Sequence, residues 1–401
     1  MPVAALKTDS SRMVIACTII LLAVSCVFMT QSIFLELSES FQIDLTRARF
    51  SFSIVSMFYA AAFFFVGPVV DKFDLPKIAV TGLFLLAMTV AGASYATGYS
   101  MFLTAMALVG FCAASIPAAM FPHIVKTSSA NKTAIYMGSI VASGTLGVIF
   151  GRVAIGILTA AVGWRFSFRI VSFILIILTA LTFLSLVENH DEKSANNEKL
   201  TRLYANSIRL FFNPKIFSLL LAGLSLFVGF LGMVTFLTYR LIEPPFNFTS
   251  GKVGWISFAG ITALIAPFAG NLSRKTGIYR IIFPSLVICL LSFQLMGWFE
   301  SIPLTTVGLL LLFLGVYACQ PLLFLLIGQT APKESLGSAS ALYALFCIGG
   351  GSLSSIFLGP VWLSYGWHGI TILCSISLLI SLLIMSVIAL KSPETGDENH
   401  G

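Results

Sequence analysis

Charge is what this sequence has least of. Only 10% of its 401 residues are Asp, Glu, Lys or Arg, against about 25% in soluble globular domains. With 58% of the chain hydrophobic, a soluble globule is excluded, because it could not bury so much apolar side chain; the surplus must face lipid. The few charges are also scattered. The 23 Lys and Arg residues stand singly or in pairs between apolar runs, so the formal charge of +7 never gathers into a basic stripe. No nucleic-acid partner is expected.

Patterned cysteine is missing too. All seven cysteines (Cys17, Cys26, Cys112, Cys289, Cys319, Cys347, Cys374) fall inside apolar runs without CxxC or Cys/His spacing. That pattern argues against a disulfide framework or a metal site and leaves them as packing residues. The four histidines, His123, His190, His368 and His400, sit at run ends or in polar segments. No apolar run therefore holds the His with an acidic partner, or the nucleophile with a base, that an intramembrane enzyme requires. Neither catalysis nor a cofactor is expected. Acid is absent from the runs as well: none of the 16 acidic residues lies inside one, so no buried carboxylate is available to relay protons. Glu36 and Glu39, at the end of the first run, come nearest and read as solvated.

What is there is a series of apolar runs, each near the ~20 residues that a spanning helix needs. Single spans read at 13–35, 50–70, 133–163, 170–187, 216–239, 253–273, 281–299 and 301–332. The stretch 78–125 holds two, split at Gly98-Tyr99-Ser100, and 335–390 holds two more, split at Ser364-Tyr365-Gly366. The total is twelve transmembrane helices in an all-α membrane protein, numbered here span 1 to span 12. The first run is too long for a signal-peptide core and no small-residue cleavage site follows it, so it counts as a span. With the N-terminus inside, inner segments collect 16 Lys and Arg and outer loops 6, leaving Arg152 within span 5. The positive-inside rule then predicts a multi-pass protein of the cell inner membrane with both termini cytoplasmic.

The chain also repeats itself. Gly67 and Lys72 after span 2 have counterparts in Gly270 and Lys275 after span 8, and Gly163-Trp164 before span 6 has Gly366-Trp367 before span 12; both offsets are 203 residues. Shared spacing at two landmarks predicts two pseudo-symmetric six-helix halves, the arrangement in which a solute binds at the midplane between them. The expected domains are an N-terminal half at 1–188, a polar cytoplasmic linker at 189–214, a C-terminal half at 215–390 and a cytoplasmic tail at 391–401.

Three sets of residues carry a resemblance to the major facilitator superfamily. Gly67-Pro68-Val69-Val70-Asp71-Lys72 resembles the start of that superfamily's motif A, Gly-x-x-x-Asp-Arg/Lys. In this reading Gly67 permits close helix approach and Asp71 engages a neighbouring helix N-terminus as a conformational latch. Asp74, Leu75 and Pro76 depart from the rest of the motif, with Lys77 a substitute for its basic end. Gly138, Gly147, Gly151 and Gly156 are spaced as in the antiporter motif C, with Arg152 in the proline position and Ile155 replacing a glycine; the glycine face of span 5 should meet a neighbour, by symmetry span 11 at Gly349, Gly350 and Gly351. Finally, Gln31-Ser32-Ile33-Phe34, Gly151-Arg152, Tyr239-Arg240-Leu241, Ser338-Ala339-Ser340-Ala341-Leu342-Tyr343 and Tyr365-Gly366-Trp367 are similar to the YnfM-like branch of drug and sugar efflux carriers.

The resemblance implies a secondary transporter, monomeric and not an enzyme, that moves a small-molecule substrate across the bilayer by alternating access. Efflux by antiport, with protons as coupling ion, is the mode it implies, although Met106 stands where span 4 of antiporters carries the Arg linked to proton transfer. It also implies a central cavity lined by Gln31, Ser115, Thr235, Tyr239, Tyr317, Gln320 and Tyr343. Arg152 is the one ionised residue deep in a span, and a buried Arg costs at least about 2.5 kcal/mol at the bilayer centre. Two roles stay open for it: bracing carbonyls of a neighbouring helix, or anchoring an anionic solute. Arg240 reads as an interfacial ion pair with Glu243. Two further functions also stay open, a transporter-like sensor without flux and a facilitative carrier of an organic anion or siderophore.

Overall fold

The computed structural model describes residues 9–187, 200–248 and 254–391. Among the described residues there are helices and no strand. Within those residues ten helices are long and apolar enough to cross a membrane. One of them, Leu336–Lys391, bends at Gly366, whose φ of 58° lies in the left-handed region where a side chain is strained, so it comprises spans 11 and 12. The remaining crossing is composite and too irregular to count by length. With it the twelve expected spans are present: span 1 (Asp9–Phe28, continued by Met29–Ser32 and Phe34–Phe41), span 2 (Leu45–Lys72), span 3 (Leu75–Ser94), span 4 (Tyr99–Thr127), span 5 (Ala130–Val162), span 6 (Trp164–Leu186), span 7 (Pro214–Ile242), span 8 (Gly254–Ile265 with Ala266–Thr276), span 9 (Tyr279–Trp298), span 10 (Ile302–Thr330), and the two arms of the bent helix.

Helix boundaries follow local chemistry. The Asp44 carboxylate caps span 2 by accepting from the Arg47 amide at 2.9 Å, and the Asn213 side chain caps span 7 by accepting from the Lys215 and Ile216 amides; both satisfy amides that the first turn leaves orphaned. Gly163, at φ 79°, starts span 6 as Gly366 starts span 12. The tryptophan after each turns inward: Trp164 packs on Phe41, Phe102 and Phe168, and the Trp367 indole N–H donates to the Met296 carbonyl at 2.9 Å.

Two spans depart from simple helices. Span 1 tightens into a 3-10 turn at Met29–Ser32, closed by the Ile33 amide donating to the Thr30 carbonyl at 3.2 Å. Span 8 is 3-10 over Gly254–Ile265 and becomes α-helical at Ala266. Pro267 explains the break, since it lacks the amide that a continuous α-helix would bond to the Ala263 carbonyl. Within the expected linker, Leu200–Leu210 forms a helix, with Leu203, Ser207 and Leu210 buried at the spacing of one helical face; residues 189–199 lie outside the described ones. Large apolar side chains such as Phe173, Ile177, Ile356, Phe357 and Leu383 stand exposed, as lipid-facing surfaces require.

By contact the chain divides into two compact units, one gathering the described residues of Met1–Ser128, Ala142–Ile208 and Pro332–Leu345, the other those of Ser129–Val141, Arg209–Ala331 and Phe346–Gly401. The first unit thus contains the start of span 11 and the second the start of span 5.

Candidate functional site

At the end of span 2, in the first unit, Gly67 lets the backbones of spans 2 and 11 close up: a Cβ there would stand 3.1 Å from Ser338 Cα and 3.1 Å from Ala341 Cβ. One turn on, the Asp71 carboxylate meets the N-terminus of span 11. It accepts from the Gly337 amide at 2.7 Å, from the Ser338 amide at 2.9 Å and from the Ser338 hydroxyl. Carboxylate bonds of this kind contribute about 1.5–3 kcal/mol each, and the helix dipole favours the negative charge there.

The second unit holds a contact of the same plan. A Cβ at Gly270 of span 8 would stand 2.2 Å from the Ala134 carbonyl oxygen of span 5, and one at Gly138 would stand 2.3 Å from the Ala266 carbonyl oxygen. Gly270 follows Gly67 by 203 residues, and Ala341 follows Gly138 by 203, so the two contacts are images of each other under the sequence repeat. Where the first contact has Asp71, the second has Arg274.

The glycine face of span 5 packs elsewhere than expected. A Cβ at Gly147 would lie 2.4 Å from the Leu21 carbonyl oxygen, and one at Gly151 2.4 Å from that of Ser25. The partner is therefore span 1, not span 11. The Ser25 hydroxyl spans the seam, donating to the Gly147 carbonyl at 2.9 Å and to that of Leu21 at 2.7 Å. Gly350 in span 11 packs likewise on span 7, where a Cβ would come 2.8 Å from the Leu224 carbonyl oxygen. Leu224 follows Leu21 by 203 residues, and Gly350 follows Gly147 by the same. Gly349 has nothing within 4 Å of its Cβ direction. Glycine spacing shows that a helix face is flat but not which neighbour fills it, and symmetry relates contacts inside each half as well as across them.

Arg152 follows Gly151 at the same seam. Its guanidinium lies over the Phe28 ring at 5.5 Å, where span 1 breaks into its 3-10 turn, and the side chain is half-buried. The contact is a cation–π one, which gains from low dielectric. Gln31 lies in that turn, also half-buried, and Gly156 faces Ser32 with 3.7 Å to its Cβ. The segments carrying Arg152 and Gln31 are thus adjacent. Thr30 between them was not singled out from sequence; it is wholly buried and its hydroxyl has no hydrogen-bond partner. Its only sequence signal was a polar pair, Thr30-Gln31, in an apolar run.

The other candidate binding residues are dispersed. In the first unit Tyr343 is wholly buried in the start of span 11. In the second, Tyr239 is 51% exposed and packs against Phe236 and Trp362, while Gln320 in span 10 is half-buried with its Oε1 unpartnered. Arg240 pairs with Glu300 rather than Glu243, donates to the Pro244 carbonyl at 2.8 Å and lies over the Phe246 ring. Glu243 ends the same helix, and Glu300 reaches Arg240 from the turn between spans 9 and 10. Among the described residues no group of three His, Cys, Asp or Glu side chains is placed to hold a metal ion.

Comparison with known proteins meets this geometry. The chain is 25% identical over 359 residues to the inner membrane transport protein YnfM of Escherichia coli, covering 89% of this chain and 85% of that one. Its fold superposes on the human organic anion transporter MFSD10 with a TM-score of 0.76 at 15% identity, covering 93% and 99% of the two chains. It superposes on the Escherichia coli transporter FucP in its outward conformation with a TM-score of 0.77 at 14% identity, covering 94% and 98%. The model of the Major Facilitator Superfamily matches residues 13–355, a stretch that takes in both of the repeat-related helix contacts, and the chain accordingly belongs to that superfamily as a multi-pass membrane transporter.

Proposed function

We propose that this transporter exports a small anionic or amphipathic solute by alternating access, in two six-helix halves joined by the 189–214 linker. The observation that carries it is the pair of contacts, Gly67 with Ser338 and Ala341, and Gly270 with Ala134, related by one offset. Duplicated halves that rock about a midplane site need matching closures, and glycine at each makes the closure tight. The antiporter-like spacing along span 5 supports the outward direction. We place the protein in the inner membrane with both termini cytoplasmic, as a monomer, with protons the coupling ion that its family suggests.

Arg152 supplies the substrate class. A guanidinium is the side chain whose planar, two-pronged donor geometry matches a carboxylate or phosphate, and this one stands at a helix break against an aromatic face. Gln31 is on the adjacent segment of span 1; Gln320, Tyr239 and Tyr343 complete the proposed binding set. Inside-out vesicles should accumulate the anionic dye carboxyfluorescein in preference to cationic ethidium. Arg152→Ala should remove most of that uptake at unchanged expression, and Arg152→Lys should keep part of it. Uptake of the cation by wild type and Arg152→Ala alike would overturn this reading.

A further inference from the structure

The helix Leu200–Leu210, which the sequence offers only as part of a polar connection, is docked in the first unit by named contacts. Leu203 is 1% exposed, and the Tyr204 hydroxyl donates to the Phe65 carbonyl of span 2 at 2.7 Å. One turn further, buried Ser207 donates to the Ser338 hydroxyl oxygen at 2.7 Å, and the Ser338 hydroxyl in turn donates to Asp71. We infer that Ser207 is a positioning residue for the Asp71 contact, tying the connecting helix to whether spans 2 and 11 are closed at this end.

The chemistry runs in one direction. Ser338 has a single hydroxyl proton and commits it to the carboxylate, which leaves its oxygen to accept from Ser207. Each bond in such a chain polarises the next, so Ser207 strengthens and orients the bond that Asp71 receives. Ser207 has a second acceptor within reach, the Leu203 carbonyl of its own helix at 3.0 Å. One proton therefore has two destinations. With the start of span 11 in place it points at Ser338; with span 11 withdrawn it turns back to Leu203, and no buried donor is orphaned. The link favours the closed contact without penalising the open one, while Tyr204 keeps the connecting helix on span 2.

The inference rests on reading the Asp71 contact as one that opens and closes, and one experiment separates the two. Hydrogen exchange is measured on the full chain in lipid nanodiscs, following peptides covering 332–345 and 200–210. Ser207→Ala should speed exchange at 332–345 about fivefold, the worth of one hydrogen bond, with 200–210 near its wild-type rate because Leu203 and Tyr204 still hold it. In a Ser338→Ala background the same substitution should add nothing. Ser207 is not a positioning residue if 332–345 keeps its wild-type rate, if both peptides loosen equally as in simple undocking, or if the effect survives undiminished without the Ser338 hydroxyl. Asp71→Asn is the control for the underlying reading: unchanged exchange at 332–345 in that variant removes the clasp itself, whereas loosening there with no effect of Ser207→Ala removes only the inference.

Discussion

The contact of span 2 with span 11 and the contact of span 8 with span 5 share a backbone design and differ in their charge. Both rest on a glycine near a helix end, Gly67 in one and Gly270 in the other, pressed against the start of a partner helix. The first adds a carboxylate that takes up the amides of Gly337 and Ser338. The second has Arg274 in that place, and a cation cannot favour the positive end of a helix. The close glycine packing is therefore common to both contacts, while the carboxylate at the helix N-terminus belongs to the first.

The largest expected effects come from the shared part of the design. Gly67→Leu and Gly270→Leu each drive a side chain into the facing helix, and each should abolish dye uptake, by a hundredfold or more, at normal membrane insertion. Wild-type uptake by either would break the equivalence of the two contacts. Gly151→Leu tests a different seam, because its Cβ would lie 2.4 Å from the Ser25 carbonyl oxygen inside the first unit. Overpacking of that kind costs about 1–3 kcal/mol, so this variant should lower the thermal unfolding temperature in detergent by several degrees. Unchanged stability with lost uptake would instead make the span 1 seam a moving one. The polar part sharpens the contrast. Asp71→Asn, which keeps shape but loses the charge, should slow uptake about tenfold, as expected for about 1.4 kcal/mol of altered interaction. Arg274→Gln should change it less than threefold, and equal effects at the two positions would erase the distinction.

Much of the fold was legible in the sequence because lipid simplifies the rules: a run of about 20 apolar residues can be little else than a span, and Gly163 and Gly366 mark matching corners. The repeat also pointed to Gly67 and Gly270. Partners were harder. The face made by Gly147 and Gly151 was visible from spacing, yet span 1 as its neighbour was not, since spacing within one helix carries no information about what lies across from it. Arg240 was assigned to Glu243 because it is near in sequence, and the turn carrying Glu300 supplied the partner instead. The connecting helix was hidden for another reason: its buried face consists of only Leu203, Ser207 and Leu210 in 11 residues, too short for periodicity to stand out. Ser338 was noticed within a familiar stretch, but its hydroxyl acquires a role only when Asp71 and Ser207 are brought to it.

The proposed alternating access requires the two contacts to open in the same step, and hydrogen exchange on full-length protein in nanodiscs tests it directly by following 332–345 and 130–141 together in wild type and Asp71→Asn. The substitution touches only the first contact. A rocking motion about a midplane site opens both ends of the pair at once, so the account predicts faster exchange in both segments, by a similar factor. Faster exchange confined to 332–345, with 130–141 at its wild-type rate, would contradict it.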